Sequence, residues 1–281
     1  MILWLPSYPK SGNTWLRSFL SSLIFSKNGE ADFEIIKKIS QYPRRSHFRG
    51  LVSDFDDINS ISENWISSQT LLNLDNKIKF FKTHHVMCNF GKNSFTNYIN
   101  SAGVIYIVRD PRNVITSICN HYQISHEQAL EFMKTERKAL FSKKEGRFLA
   151  FQPILSWSLN YKSWAENIKY PILVVKYEDL EKETYNAFKK TLKFIKKISN
   201  SNIKIDEQKI KNCIISCEFE KLKQLENKIG FNEAPKIKNS DERLKFFHLG
   251  KKNIWKDILN KNIVNKIEKE FSSEMKELGY L

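Results

Sequence analysis

The chain has few cysteines and sets them in no recognisable pattern. Cys88, Cys119, Cys213 and Cys217 are the four in 281 residues. They form no CxxC pair, and Cys213 and Cys217, four apart, have no second ligand pair to join them. That spacing argues against a zinc site and against a disulfide framework, and leaves ordinary buried or partly buried thiols. Long apolar runs are missing too. Gly103 to Val108 and Pro171 to Val175 fall far short of the roughly 18 residues a membrane helix needs. The opening Met1-Ile2-Leu3-Trp4-Leu5 lacks the basic flank and cleavage region of a signal peptide. No internal repeat, low-complexity tail or linker-like stretch is visible. One soluble, cytoplasmic domain over residues 1–281 is therefore expected.

Acidic charge is also short. Asp+Glu number 31 against Lys+Arg 46, a formal net charge of +15. Such a field favours anionic partners: nucleic acid, an anionic membrane, or a phosphate- or sulfate-bearing ligand. A bias towards Lys, Asn and Ile also raises charge without function, as a solvated surface. At 41% apolar and 27% charged residues the chain is neither disordered nor collagen-like. A chain of about this length buries roughly three quarters of its unfolded surface, so a large core is available.

Periodicity then orders the chain. Ile2 to Ser7 reads as a strand punctuated by Pro6 and Pro9, followed by a helix over Asn13 to Phe25. Its apolar residues Trp15, Leu16, Phe19, Leu20, Leu23 and Ile24 recur at three and four, predicting one buried face. Asp32 to Gln69 reads as helices joined by polar loops. Lys79 to Thr83 and the near-continuously apolar Gly103 to Val108 read as strands, the latter of the kind covered on both faces. Pro111 opens a helix to about Tyr122, and another is expected from Glu127 to about Phe141. Lys143 to Arg147 reads as a loop, and Pro153 to Ile168 as a helix with Trp157, Tyr161 and Trp164 in the core. Ile172 to Tyr177 is a fourth strand, Glu178 to Ile195 a helix, and Ile263 to Leu278 a last helix stopped by Gly279. Strands alternating with helices imply an α/β fold, a doubly wound and mostly parallel sheet flanked by helices. Ligands of such sheets bind beyond the carboxyl ends of the strands.

Three strand ends carry chemistry. Tyr8-Pro9-Lys10-Ser11-Gly12-Asn13-Thr14-Trp15 joins the first strand to a helix N-terminus, where backbone N–H groups favour an anion and Lys10 adds a full charge. It is not the GxxxxGK[ST] loop of kinases, which places its lysine after the glycines. The plain alternative is an ordinary turn with a capping Ser or Asn. At Lys82-Thr83-His84-His85, side chains alternate, so Lys82 and His84 share a face and His85 points elsewhere. A lysine beside His84 depresses its pKa and keeps it neutral, a general-base candidate. At the third end Arg109 leaves the sheet and Ser117 follows eight residues on, so both reach one anion if the helix packs back. The plain alternative pairs Arg109 with Asp110 on the surface.

In this order and spacing the three segments resemble the sulfotransferases that use 3'-phosphoadenosine 5'-phosphosulfate (PAPS). Their first loop reads YPKSGTTW, with Asn13 the one change here; their KTH is matched by Lys82-Thr83-His84, and their Arg/Ser pair by Arg109 and Ser117. Tyr177-Glu178-Asp179 is similar to their YED, and Cys217-Glu218-Phe219 stands where they have Thr-Ser-Phe. Their RKGxxGDWK is replaced by His248-Leu249-Gly250-Lys251-Lys252-Asn253-Ile254-Trp255-Lys256, which keeps Gly250, Trp255 and Lys256 and loses the arginine at 248.

The resemblance implies a P-loop-like fold, PAPS as donor and 3'-phosphoadenosine 5'-phosphate (PAP) as product, with no metal. It implies His84 as base towards the acceptor, Lys10 on the leaving 5'-phosphate and Lys82 beside the transferring group. Ser11, Gly12, Asn13 and Thr14 would donate to the 5'-phosphate. Trp15 and Phe219 would contact adenine, Tyr177 would join the donor site, and Arg109 and Ser117 would hold the 3'-phosphate. Where the family has its arginine, His248 would join the donor site with at most one donor. Beside that resemblance, either Lys251 or Lys252 supplies the missing charge and Gly250 an N–H, or both lysines are solvated loop residues and the donor binds more weakly. The acceptor would be an alcohol or phenol, less readily an amine. A small-molecule kinase and a basic nucleotide- or nucleic-acid-binding protein are the other readings; no nucleic-acid module is visible, and the charge is dispersed.

Overall fold

The computed structural model describes residues 1–140, 149–167, 169–200, 206–237 and 240–281. The expected loop at Lys143 to Arg147 lies outside them. Four strands form a central parallel sheet: β1 (Ile2–Pro6), β2 (Lys79–Thr83), β3 (Ser101–Val108) and β4 (Ile172–Lys176), in the order β2-β1-β3-β4. The side-chain period of two decides what each face meets. On β1, Ile2 and Trp4 enter one core, while Leu3 and Leu5 enter another. On β3, Val104, Tyr106 and Val108 join the first core, and Ile105 and Ile107 the second. Neither face meets water, which is why these strands read as unbroken apolar runs.

Helices seal both faces. On the second face lie α1 (Asn13–Phe25), contributing Leu16, Phe19 and Leu20, and two later helices. On the first face lie α2 (Pro111–Tyr122), α3 (His126–Lys134) and α4 (Trp157–Ala165), with Trp157, Tyr161 and Trp164 in the core as expected. Beyond β4 come α5 (Tyr177–Lys182) and α6 (Thr184–Ser199), where Phe188 stacks on Phe19 with ring centroids 3.7 Å apart. Then follow α7 (Glu207–Ser216), which packs Ile210 and Cys213 into the second core, and α8 (Phe219–Ile229). The chain closes with α9 (Lys261–Glu270) and α10 (Ser272–Glu277) over the first core. Gly279, at φ +68, ends α10: its N–H bonds Lys276 O, and that of Tyr280 bonds Met275 O. The four cysteines are free, two buried and two partly buried.

Several boundaries differ from expectation, each for a local reason. The helix expected to run from Glu127 to Phe141 stops at Lys134. Ala139–Leu140 instead pairs antiparallel with Gln152–Pro153, and Lys138 O accepts from Ile154 and Leu155. The next helix begins at Trp157, not Pro153, because Ser156 caps it by accepting from Leu159 N–H. The helix expected from Glu178 to Ile195 divides at Glu183, and the last helix at Phe271. Ile24, expected inward on α1, is 43% exposed. Residues 207–229, unassigned from the pattern, form α7 and α8.

Candidate active site

Beyond the carboxyl ends of β1, β2 and β3 opens a cavity of about 1020 Å³. The β1–α1 loop contributes Lys10, Gly12, Asn13, Thr14 and Trp15, and the end of β2 contributes Lys82 and His84. Arg109 and Ser117 reach it from β3 and α2, Tyr177 from α5 and Phe219 from α8. His248, Gly250, Lys251 and Lys252 close one side. Of the residues singled out from the sequence, Ser11 alone does not line it, being 1% exposed with an Oγ that finds no hydrogen-bond partner among the described residues.

The β1–α1 loop is shaped by left-handed backbone. Lys10 sits at φ +67, a region that costs a non-glycine residue about 1–3 kcal/mol and recurs at functional loops. Gly12 sits at φ +94, and a Cβ there would meet the Tyr177 ring at 2.2 Å. The glycine is therefore required twice, by conformation and by close approach. Asn13 turns its side chain away from the cavity: Nδ2 donates to Leu5 O at 2.7 Å and to Ser7 Oγ at 3.2 Å. The Asn13 amide nitrogen is thus occupied within the protein. What the start of α1 offers is the backbone N–H groups of Asn13 and Thr14, since that of Trp15 is taken by Gly12 O at 3.0 Å.

His84 is held on three sides. Its N–H donates to Gln152 Oε1 at 2.8 Å, and its carbonyl accepts from Asn160 Nδ2 at 3.0 Å. Its ring Nδ1 lies 2.8 Å from Ser7 O, an acceptor only. That contact places the ring proton on Nδ1 and leaves Nε2 as an open acceptor. Burial, and then the Lys82 charge, hold the His84 pKa down at about 3, so the ring is neutral at pH 7. His85 points away, stacked on Phe95 with centroids 4.0 Å apart, as alternation predicted.

Beside His84 stands a feature with no local signal in the sequence. Glu233, in the loop after α8, accepts from Lys82 Nζ at 3.0 Å and from Arg17 Nη2 at 2.5 Å. Arg17 is 1% exposed on α1. The two cations hold the Glu233 carboxyl well below the usual range against the opposing effect of burial. Lys10 Nζ lies 4.0 Å above the Phe246 ring, and burial followed by the Lys82 charge lowers its pKa to about 7. His121, from the last turn of α2, also lines the cavity, neutralised by burial and by Lys10 and Lys82.

At the opposite end Arg109 and Tyr177 stack, guanidinium to ring centroid 3.9 Å. Asp110 does not pair with Arg109. Its carboxylate is taken by Arg112, through Nε at 3.0 Å and Nη2 at 2.7 Å, and Arg112 also reaches Glu268 Oε1 and Tyr280 O. Tyr280 in turn donates to Glu178 Oε2 at 2.8 Å, while Glu178 Oε1 accepts from Asp110 N–H at 3.0 Å. The surface-pair alternative for Arg109 is thus excluded. Ser117 Oγ accepts from Asn253 Nδ2 at 3.2 Å, and Thr116 Oγ1 donates to Asn253 Oδ1 at 2.5 Å, so Asn253 fastens the closing segment to α2. Gly250, at φ +56, lies against Phe219, whose ring a Cβ would meet at 2.5 Å. Upstream, the buried Glu226 carboxylate accepts both Phe246 N–H at 2.7 Å and Phe247 N–H at 3.0 Å. Lys251 also lines an adjoining hollow with Arg109, Glu178 and Glu181, whereas Lys252 does not.

These residues fit a nucleotide with an anion at each end. Lys10, Lys82 and a helix start lie at one end, and Arg109 at the other. Trp15 Nε1 and Arg109 Nε are buried donors without hydrogen-bond partners among the described residues. Such groups are costly unless something accepts from them.

Comparisons with known proteins bear on the family and the fold. Residues 2–279 match the family described as Sulfotransferase domain. The chain is 26% identical over 184 residues to cytosolic sulfotransferase 12 of Arabidopsis thaliana, covering 64% of this chain and 52% of that one. It is 24% identical to luciferin sulfotransferase of Photinus pyralis, covering 83% and 59%. To flavonol 3-sulfotransferase of Flaveria bidentis it is 25% identical, covering 99% and 82%. The chain thus spans little more than half the length of the first two relatives. Among solved structures, mouse sulfotransferase SULT7A1 complexed with PAP superposes with a TM-score of 0.57 at 19% identity, covering 97% of this chain and 84% of that one. Retinol dehydratase in complex with androsterone and inactive cofactor PAP superposes with a TM-score of 0.53 at 16% identity, covering 98% and 80%. At these identities the structures speak to the fold: α/β, with a parallel sheet between helices.

Proposed function

This chain belongs to the sulfotransferase domain family, and from that premise we propose that it transfers a sulfuryl group from PAPS to the hydroxyl of an acceptor alcohol or phenol. The observation that carries the reading is the pairing of an open His84 Nε2 with Lys10 and Lys82 in one cavity whose far end holds Arg109. The donor supplies the sulfuryl group and a phosphate leaving group. His84 Nε2 takes the acceptor's O–H proton as the acceptor oxygen bonds to sulfur. Lys10 stabilises the electron pair left on the 5'-phosphate oxygen as the sulfur–oxygen bond to the donor breaks. Lys82 offsets the charge on the group in flight. Arg109, with Lys251 beside it, holds the 3'-phosphate, and Trp15 and Phe219 flank the adenine. Such an in-line displacement depends on positioning and on charge placed in advance, which is what a clamped histidine and two fixed lysines offer.

The test is a rate and a binding constant measured together. His84→Ala should lower PAP release from PAPS in the presence of 4-nitrophenol by about a hundred- to ten-thousand-fold, the usual cost of losing a general base. PAP affinity by calorimetry should stay within about three-fold, because the base acts on the acceptor. Turnover should persist in excess EDTA. Wild-type rates in the variant would remove His84 from the role, and a strict magnesium requirement would favour a kinase.

A further inference from the structure

A carboxylate in the middle of an anion-binding cavity requires a reason. Glu233 repels the ligand the cavity is proposed to take, yet it pairs with Lys82 and Arg17 and lines the cavity together with His84 and Lys10. Its side chain is 26% exposed, while those of Lys82 and Arg17 are 8% and 2% exposed. Oε1 accepts from Arg17 Nη2 and Oε2 from Lys82 Nζ. Arg17 is rooted in α1, four residues beyond Asn13, and Lys82 in β2, in register with Leu5 of β1. Glu233 therefore links the helix that cradles one anion to the strand that carries the base. Lysine has four rotatable side-chain bonds and a point charge, so its ammonium is not directed by its own stereochemistry. A carboxylate held from behind through a charge-assisted bond from Arg17 Nη2 supplies that direction.

Resting on the sulfuryl-transfer reading above, we propose that Glu233 is a positioning residue for the reaction: clamped by Arg17, it fixes the Lys82 ammonium beside the transferring group. Its benefit is confined to the step in which Lys82 meets charge on the sulfuryl oxygens. PAP has no sulfuryl group, so Lys82 alignment gains nothing in PAP binding, where the Glu233 charge only repels. The two measurements should therefore move in opposite directions when the charge is removed, which a brace of the fold would not do.

The experiment compares wild type, Glu233→Gln and Glu233→Asp for PAP release from PAPS with 4-nitrophenol, and for PAP affinity by calorimetry. Glu233→Gln should lower kcat by at least about thirty-fold, within the range that misplacing a catalytic group costs. It should tighten PAP by about three- to ten-fold, as loss of one nearby repulsive charge allows. Glu233→Asp keeps the charge but withdraws it by one methylene, so kcat should fall while PAP affinity stays within about two-fold. In a Lys82→Met background, Glu233→Gln should cost less than about three-fold more in kcat, because the two act as one unit. An unchanged kcat, parallel losses of kcat and PAP affinity, or additive losses with Lys82→Met would each overturn the proposal. Should Glu233→Gln not fold, Glu233→Asp alone decides: unchanged kcat, or PAP binding weakened with it, overturns the inference. A wild-type chain that releases no PAP would defeat the sulfotransferase reading and the inference with it, an outcome distinct from an active wild type with an unchanged Glu233→Gln.

Discussion

The two ends of the cavity are held by different means. The end at Lys10, Lys82 and His84 stands on the sheet itself. β1 and β2 are paired through Pro6 and Thr83, and His84 is clamped by Ser7, Gln152 and Asn160. The other end is half sheet and half strap. Arg109 leaves β3, but residues 246–253 hang from a few side chains: Glu226 on two backbone N–H groups, and Asn253 on Asn113, Thr116 and Ser117. A sheet edge is set by many cooperative backbone bonds, whereas a strap is set by the partners it happens to find. The difference predicts that substitutions in the loop of β1 act on everything, while those in the strap act on nucleotide affinity alone.

The sharpest way to break that comparison is to insert one methyl at each end. Gly12→Ala should drive a Cβ into the Tyr177 ring and strain φ +94. Its loss of PAP affinity should exceed about a hundred-fold, with a lower melting temperature, since overpacking and backbone strain each cost about 1–3 kcal/mol. Gly250→Ala makes the same kind of contact with Phe219, but the strap can shift. A loss of affinity at least about five-fold smaller, with melting unchanged, is expected there. Equal losses would mean that the strap is as fixed as the sheet.

Next in size is Arg109→Ala. It should weaken PAP by about ten- to a hundred-fold, the worth of a charge-assisted hydrogen bond, and leave adenosine 5'-phosphosulfate, which lacks the 3'-phosphate, nearly unchanged. Equal losses measured by calorimetry would put Arg109 elsewhere.

A pH titration separates the ends without mutation. Lys10, lowered to about 7 by burial and by Lys82, loses its proton as pH rises through neutrality. An anion binds the protonated form better, so binding takes up a proton and PAP affinity should fall by about ten-fold between pH 7 and 8.5. Lys10→Arg, charged throughout, should flatten the profile. A profile that stays steep in that variant would assign the titration to another group.

The smallest effect is expected at the strap's lysines. Lys251→Ala should weaken PAP by about two- to five-fold at low salt and less at high salt, as for an exposed charge, and Lys252→Ala should do less. The reverse order would mean that the strap closes differently with nucleotide bound.

These halves also differ in how far the sequence revealed them. Strand runs buried on both faces and a loop with Pro9, Lys10 and Gly12 are local patterns, so β1 to β4 and the loop's place were readable. The directions of Lys82, His84 and His85 followed from alternation alone. Glu233, Asn253, Gln152 and Asn160 were not readable. Each is an ordinary polar residue whose role exists only once segments distant in the chain meet. The direction of the Asn13 side chain was not readable for a related reason: a motif places a residue in a loop, but contacts with Leu5 and Ser7 decide which way its side chain turns. Helix boundaries near Lys134 and Ser156 were lost to pairing between Ala139–Leu140 and Gln152–Pro153, which local propensity does not encode.

Tyr280 gives the fold an unexpected dependency. Its hydroxyl holds Glu178, which receives Asp110 N–H, and its carbonyl holds Arg112, which occupies the Asp110 carboxylate. The turn that aims Arg109 is therefore finished by a residue far along the chain, and cannot be complete until that residue has been made. While Tyr280 is still being synthesised, Asp110 lacks this bracing. Removing or displacing Tyr280 would therefore disturb the setting of Arg109 from its far side.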